Sequence, residues 1–384
     1  MTVTASTKPR LPSHYSIWCD PPDTEGDEVL HIVSQQRRFK LKGHSFREFV
    51  RCVVPLLDGR HSIEEIYRQT AEVFAEADLV GAIQTLADNH LLEAGAAPLE
   101  GRDSLMPQIN LLHELGASAQ ETVDRLQQAR VVLVGLGGAG GALAYLLAMS
   151  GVGHIDCVDH SPVTPADVGF SPIYSPPDIG RTRSEVVAKK LAQSASGSTY
   201  RAITQSLETD EAVDEVIRDS ALVVCALDTG MVNLAYKVNR ACLRLRIRSI
   251  HCSLAGTEVV VGPLIIPFET ACYLCYKMRR VACAANPEDA FAHERYLDRQ
   301  RSDNNAAREN LLPSGGLAAH LAGVEIIKEL AGFGVSMVKG KLLIFEAFEG
   351  RFSRHVLLRK PWCPACFSIP ADGKLEVKPA SSNA

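Results

Sequence analysis

The sequence predicts an α/β protein: a doubly wound, mostly parallel sheet preceded by a small α+β unit. Three observations carry that prediction. From residue 130 onward short apolar strands alternate with helical stretches, the pattern of a mostly parallel sheet. A glycine-rich turn joins the first of those strands to its helix. Before them, residues 28–94 hold two strands of alternating polarity followed by three helical stretches. The 384 residues suffice for two or three domains with buried cores. Hydrophobic residues at 46 % and charged residues at 22 % exclude a disordered or fibrous chain.

In order along the chain, residues 1–27 are rich in Pro, Ser, Thr and Asp and read as an arm. Glu28–Ser34 and Arg37–Lys42 alternate apolar and polar residues as half-buried strands do. Helices are expected over Phe46–Leu56, Ile63–Ala75 and Leu79–Asn89, the second opened by Ser62 and Glu65 at capping-box spacing. This composition of 28–94 is winged-helix-like. Its helical half carries Glu64, Glu65, Glu72, Glu76 and Asp78, the wrong sign for duplex recognition, so a peptide is the better-suited ligand. Residues 95–110, with Pro98, Gly101 and Pro107, read as a linker. The α/β domain follows over 111–367, with strands at Arg130–Val134, Ile155–Asp159, Ala221–Cys225 and Ser249–Cys252 and helices at 117–129, Arg183–Ser194 and Asn233–Leu243. Val259–Ile266 and Lys341–Phe348 are expected as later, antiparallel additions, and 368–384 as a tail.

Forty Lys plus Arg against 45 Asp plus Glu give a net charge of −5, which is neither a nucleic-acid footprint nor a polybasic membrane anchor. No apolar run is long enough to span a bilayer, and the N-terminal segment lacks the apolar stretch of a signal peptide. The expected location is the cytoplasm. There, eleven cysteines read as metal ligands and buried thiols rather than a disulfide framework.

The segment Val131–Gly141 runs VVLVGLGGAGG, in which Gly135, Gly137 and Gly140 keep the G-x-G-x-x-G spacing and Gly138 adds a further glycine. Such a turn lets backbone N–H groups approach a phosphate at a helix N-terminus. Asp159, at the end of the next strand, stands where a carboxylate takes ribose hydroxyls. Close helix–strand packing without a nucleotide is the alternative reading of the same spacing. Cys272-x-x-Cys275 and Cys363-x-x-Cys366 each have the spacing with which two thiolates grip a tetrahedral Zn²⁺. Buried reduced cysteines, or a redox dithiol, are the alternatives. A closed four-sulfur site has a folding role rather than a catalytic one. His251 and His320 lie in apolar surroundings and read as core histidines.

With LVGLGGAGG, CVDHSPV, CALDT, VGPLIIPFETACYLC, SGGLAAHLAG and WCPAC, residues 110–367 resemble the adenylation domain of the E1-like ThiF/MoeB superfamily. The first unit, through LLDGRHSIEEI, resembles the PqqD-like peptide clamps that bind leaders of ribosomally made peptides. The combination resembles the microcin-C adenylating enzymes and the ThiF-like partner proteins of azoline-forming pathways. The resemblance implies ATP and Mg²⁺ as cofactors beside structural Zn²⁺, Asp159 on the ribose, Asp228 on Mg²⁺ and a homodimer. Arg183 stands where the family has a phosphate-binding Lys, Asp167 where it has an Asn, Phe170 where it has an Arg and Ser171 where it has a Gln. Loss of that Arg removes a cation from the developing pyrophosphate. The favoured expectation is therefore a leader-binding protein that presents a precursor peptide to a YcaO-type cyclodehydratase. Adenylation of a peptide carboxylate is the alternative, and a nicotinamide-dependent oxidoreductase a third class. In either of the first two, Arg37, Arg38, Lys40 and Lys42 on the second strand would suit an acidic leader added as a further strand. Cys283 is a candidate acyl acceptor or simply a small apolar residue.

Overall fold

The computed structural model describes residues 3–22, 24, 26–94, 103–116, 118–195, 197–227, 231–299 and 310–367. The chain divides into two compact units, Met1–Val123 and Asp124–Ala384. The boundary falls later than the 95–110 linker.

In the first unit, β1 (Pro9–Arg10) precedes β2 (Ser16–Cys19), β3 (Glu28–Val33) and β4 (Arg38–Gly43). The last three form an antiparallel sheet in the order β2-β3-β4. Helices α1 (Phe46–Cys52), α2 (Ile63–Thr70) and α3 (Glu76–Asp88) follow, then β5 (Glu93–Ala94), which pairs with β1, and α4 (Met106–Glu114). Leu30 and Ile32 on β3 point inward and meet Phe49, Ile66, Leu79 and Ile83 from the helices in one buried cluster. The expected capping box opens α2: Ser62 N–H donates to Glu65 (2.8 Å), and Glu65 N–H donates to Ser62 Oγ (3.3 Å). The expected helix over 46–56 divides, with a 3₁₀ turn at Val54–Leu56, because Pro55 cannot donate the next helical bond. Residues 1–27 are more than an arm, since they supply β1 and β2.

Helix α5 (Ala119–Gln128) crosses the boundary and leads into the second unit. Its elements are β6 (Arg130–Val134), α6 (Gly140–Met149), β7 (His154–Val158), α7 (Pro165–Phe170), α8 (Arg183–Ser194), β8 (Thr199–Ile203), α9 (Asp210–Ile217), β9 (Leu222–Cys225), α10 (Val232–Arg244), β10 (Ser249–Ala255), β11 (Glu258–Ile265), α11 (Tyr273–Ala282), α12 (Pro287–Arg299), α13 (Leu312–Ala331), β12 (Lys341–Glu346) and β13 (Arg351–Val356). They build an eight-stranded sheet in the order β13-β12-β11-β10-β9-β6-β7-β8. The pairs from β8 to β10 are parallel, and those from β10 to β13 antiparallel. The α/β class and the antiparallel character of the late strands therefore follow the expectation, with β8 and β13 as unforeseen strands of this sheet.

Strand β6 shows why its residues form a central strand. Val131 and Leu133 join the core under α6 and α13, while Val132 and Val134 join a second core under α9 and α10. Both faces are buried, so alternation gives way to a continuous apolar run. The chain leaves β6 toward β7 and β8, then returns to add β9 on β6's other side. That reversal opens a crevice at the carboxyl ends of β6 and β9, where ligands of open α/β sheets bind. No described helix is long and apolar enough to cross a membrane.

Candidate functional site

The turn after β6 occupies that crevice. Gly135 has φ +91°, and a Cβ there would lie 2.5 Å from the carbonyl oxygen of Ala226, just past β9. A Cβ on Gly140 would lie 2.0 Å from the carbonyl oxygen of Gly135. Both glycines are thus required for packing alone, and Gly138 adds a positive φ of 35°. The turn is nevertheless more than packed backbone. Gly135 N–H donates to Val158, Leu136 N–H to Asp159 Oδ2 (2.9 Å) and Gly140 N–H to Gly137. The intervening N–H groups of Gly137, Gly138 and Ala139 are buried and have no hydrogen-bond partner among the described residues. Buried amides without partners are costly, and a run of them at the N-terminus of a ten-residue helix is suited to an anion.

Acids and one cation line the crevice's far side. Asp159 accepts from the N–H of Leu136 and, through Oδ1, from Ser161 N–H (2.9 Å). Arg183, at the start of α8, faces two carboxylates. Its Nε and Nη2 meet Asp167 at 2.9–3.0 Å, and Nη1 lies 3.4 Å from Asp159 Oδ2. All three residues are buried. Asp167 also caps α7, accepting from the N–H of Thr164 (2.8 Å) and from its hydroxyl (2.9 Å). Phe170 closes α7 against α13, where a Cβ on Gly315 would come within 2.8 Å of its ring. Lys190, farther along α8, is held by Asp178 at 2.5 Å. Burial acts to raise the Asp178 carboxyl, but hydrogen bonds from Lys190 and Ser175 prevail and hold it at about 2. Asp228, expected to bind Mg²⁺, lies outside the described residues.

The two cysteine pairs come together as their spacing suggests. Cys272 precedes α11 and Cys275 lies in its first turn, while Cys363 and Cys366 sit on a turn with Trp362 at φ +60°. Sulfur separations are 3.9 Å for Cys272–Cys275, 3.8 Å for Cys272–Cys363 and 3.5 Å for Cys275–Cys366, and all four sulfurs lie within 4.8 Å of one another. A tetrahedron of thiolates about Zn²⁺ has edges of about 3.8 Å. The donor set, its burial and its spacing therefore fit zinc. Lys360 N–H donates to Cys275 Sγ (3.3 Å), and Arg359 donates to the carbonyl of Cys366 (2.7 Å), which places positive charge beside the thiolates.

Other expected residues divide. Arg38, Lys40 and Lys42 share the exposed face of edge strand β4, with Lys42 reaching Asp27 at 2.9 Å. Arg37 is instead committed within its own unit, to the main-chain oxygen (2.7 Å) and carboxylate (3.4 Å) of Glu114. His251 is a core residue, stacked on Tyr273 with ring centroids 4.4 Å apart, and burial pushes its imidazole down to about 3. His320 is not in the core: it is exposed on α13, bonded to the carbonyl of Gly316 one turn earlier. Cys283 is exposed at the end of α11. The partnership of Arg183 with Asp167 was not foreseen from the sequence. The capping pair Thr164 and Asp167 was its only local signal.

The model of the ThiF family matches residues 106–365. The sulfur carrier protein ThiS adenylyltransferase of Escherichia coli is 26 % identical over 263 residues, 68 % of this chain and 94 % of that protein. Among solved structures, E. coli MccB with selenomethionine MccA has a TM-score of 0.66 at 19 % identity, covering 93 % of this chain and 99 % of that one. E. coli MccB with ATP has a TM-score of 0.64 at 19 % identity, with 94 % and 99 % covered. At these identities the two structures speak for the fold alone. The family match extends from before the glycine turn to the second cysteine pair, and by it the chain belongs to the ThiF family.

Proposed function

We propose that this protein uses ATP to adenylate a carboxylate of a peptide held by its N-terminal unit. The observation that carries the reading is the run of unpartnered buried amides at Gly137–Ala139, set at the switch point of a ThiF-family sheet. A relative matched over 263 residues is an adenylyltransferase, and the MccB structures were solved with MccA and with ATP. This reading displaces presentation to a cyclodehydratase as the first choice.

In the reaction a carboxylate oxygen attacks the α-phosphorus, the bond to the β-phosphate oxygen breaks, and pyrophosphate leaves with the electron pair. The amides of the turn and the N-terminus of α6 would face the phosphates, Asp159 would orient the ribose, and Asp228 would hold Mg²⁺. Zn²⁺ bound by Cys272, Cys275, Cys363 and Cys366 would hold α11 to the end of the sheet, with no part in the chemistry. The N-terminal unit acts as a PqqD-like clamp. Its free edge β4 would take an acidic leader as an added strand, with Arg38, Lys40 and Lys42 facing it. The catalytic unit works as a homodimer.

The test is calorimetric titration with Mg²⁺–ATP followed by pyrophosphate exchange in the presence of candidate peptides. Peptide-dependent exchange supports adenylation, and absence of both binding and exchange removes it. In the clamp, Lys40→Glu is expected to weaken an acidic leader about tenfold while leaving ATP binding unchanged. A second reading, presentation of the peptide to a YcaO-type cyclodehydratase, is favoured by one observation: Arg183 is engaged by Asp167 and Phe170 brings no charge.

A further inference from the structure

The cation linked to the glycine turn through Asp159 is already committed. Arg183 directs Nε and Nη2 at both oxygens of Asp167 and Nη1 at Asp159. Asp159 in turn accepts the N–H of Leu136, the residue that enters the run of unpartnered amides. A phosphate seated on those amides would therefore lie one carboxylate away from the guanidinium. To reach it, Arg183 must give up its two-pronged contact with the fully buried Asp167. Asp167 cannot readily follow, because the same carboxylate caps α7 through Thr164. Among the described residues neither flank supplies a replacement: Phe170 ends α7 with an aromatic ring, and Lys190 is held by Asp178 and by the carbonyl of Ile173.

We propose that Asp167 is a specificity-determining residue that competes with the nucleotide's phosphates for Arg183. The inference rests on the reading that an adenosine nucleotide occupies the crevice. The pocket then draws its affinity from the nucleoside and from main-chain amides and gains little from each added phosphate. It is selective for adenosine and AMP-like groups, including an acyl-adenylate, over the bare triphosphate. Asp167 acts through Arg183 and is a positioning residue.

The experiment is calorimetric titration of the full-length, zinc-loaded protein with adenosine, AMP and Mg²⁺–ATP. The wild type is expected to bind ATP within about threefold of adenosine. Asp167→Asn keeps an oxygen for the Thr164 cap but removes the charge, so ATP should tighten by about tenfold or more with adenosine unchanged. Asp167→Glu keeps the charge and should behave as the wild type does. The ratio of ATP to adenosine affinity is the readout, because a merely structural loss would weaken both. Adenosine binding that persists while Asp167→Asn leaves ATP unchanged or weaker overturns the inference and spares the nucleotide reading. A wild-type preference for ATP above about tenfold overturns it without any variant, which decides the matter if Asp167→Asn does not fold. If neither adenosine nor ATP binds any form, the nucleotide reading falls and the inference falls with it.

Discussion

The cysteine knuckle and the glycine crevice lie in the same unit and solve the same problem, buried ionisable groups, in opposite ways. At the knuckle four sulfurs of like chemistry converge, and nothing within the cluster neutralises them as thiolates. In the crevice the described buried charges meet a counter-charge on the chain: Arg183 stands between Asp167 and Asp159 and is shared by both. A cluster without internal compensation points to a ligand of fixed identity, here a divalent metal. A compensated cluster folds without its ligand and makes that ligand compete for the groups it needs. His251 is a third case, a buried base kept neutral, with its Nε2 unpartnered beside Tyr273.

The largest test of this contrast is removal of metal. Chelation, or Cys363→Ser, is expected to cost on the order of 10 kcal/mol of apparent folding free energy, read as a fall in Tm together with metal content. Protein that carries no stoichiometric metal and keeps its Tm would erase the contrast. The crevice should respond more weakly to a cut at its cation. Arg183→Gln removes the guanidinium that both oxygens of the buried Asp167 accept from, an expected loss of about 3–5 kcal/mol in denaturant unfolding. A loss below about 1 kcal/mol, the scale of an exposed pair, would show that Arg183 is not the counter-ion the geometry assigns. The smallest effect belongs to His251. Burial holds its folded-state pKa at about 3, below the ordinary 6.5, so below pH 6.5 the unfolded chain binds a proton the folded chain does not. Stability therefore falls as pH falls, by about 2 kcal/mol between pH 6.5 and 5. His251→Phe should remove that slope, and identical pH profiles for variant and wild type would show the imidazole is not buried neutral.

Legibility in the sequence followed the range of the interaction. Strands β6, β7 and β9 to β12 were readable because short, largely apolar segments have a local cause, burial on one or both faces, whereas β8 (TYRAI), with no buried residue, was not. The cysteine pairs were readable because two donors three positions apart can share one ion. Strand β13 was not, since its residues are half-buried or exposed and show no apolar alternation. Strand β2 is four residues long and equally exposed, so it was absorbed into the arm. Arg183 was singled out from the sequence, but its partner Asp167 lies 16 residues away on another helix, and nothing in the spacing of those residues signals the pair. The contact of Arg37 with Glu114 was illegible for a similar reason: the two are 77 residues apart.

The knuckle also governs when the second unit can be finished. Its donors come from two short segments, 272–275 and 363–366, and the chain between them contains α12, α13, β12 and β13. During synthesis the parallel strands β6 to β10 are complete long before the second donor pair exists. Until Cys366 emerges, two thiols wait at the start of α11 without their partners. Closure of that loop is thus a late event, and a metal held there would be bound only after the parallel strands have been made.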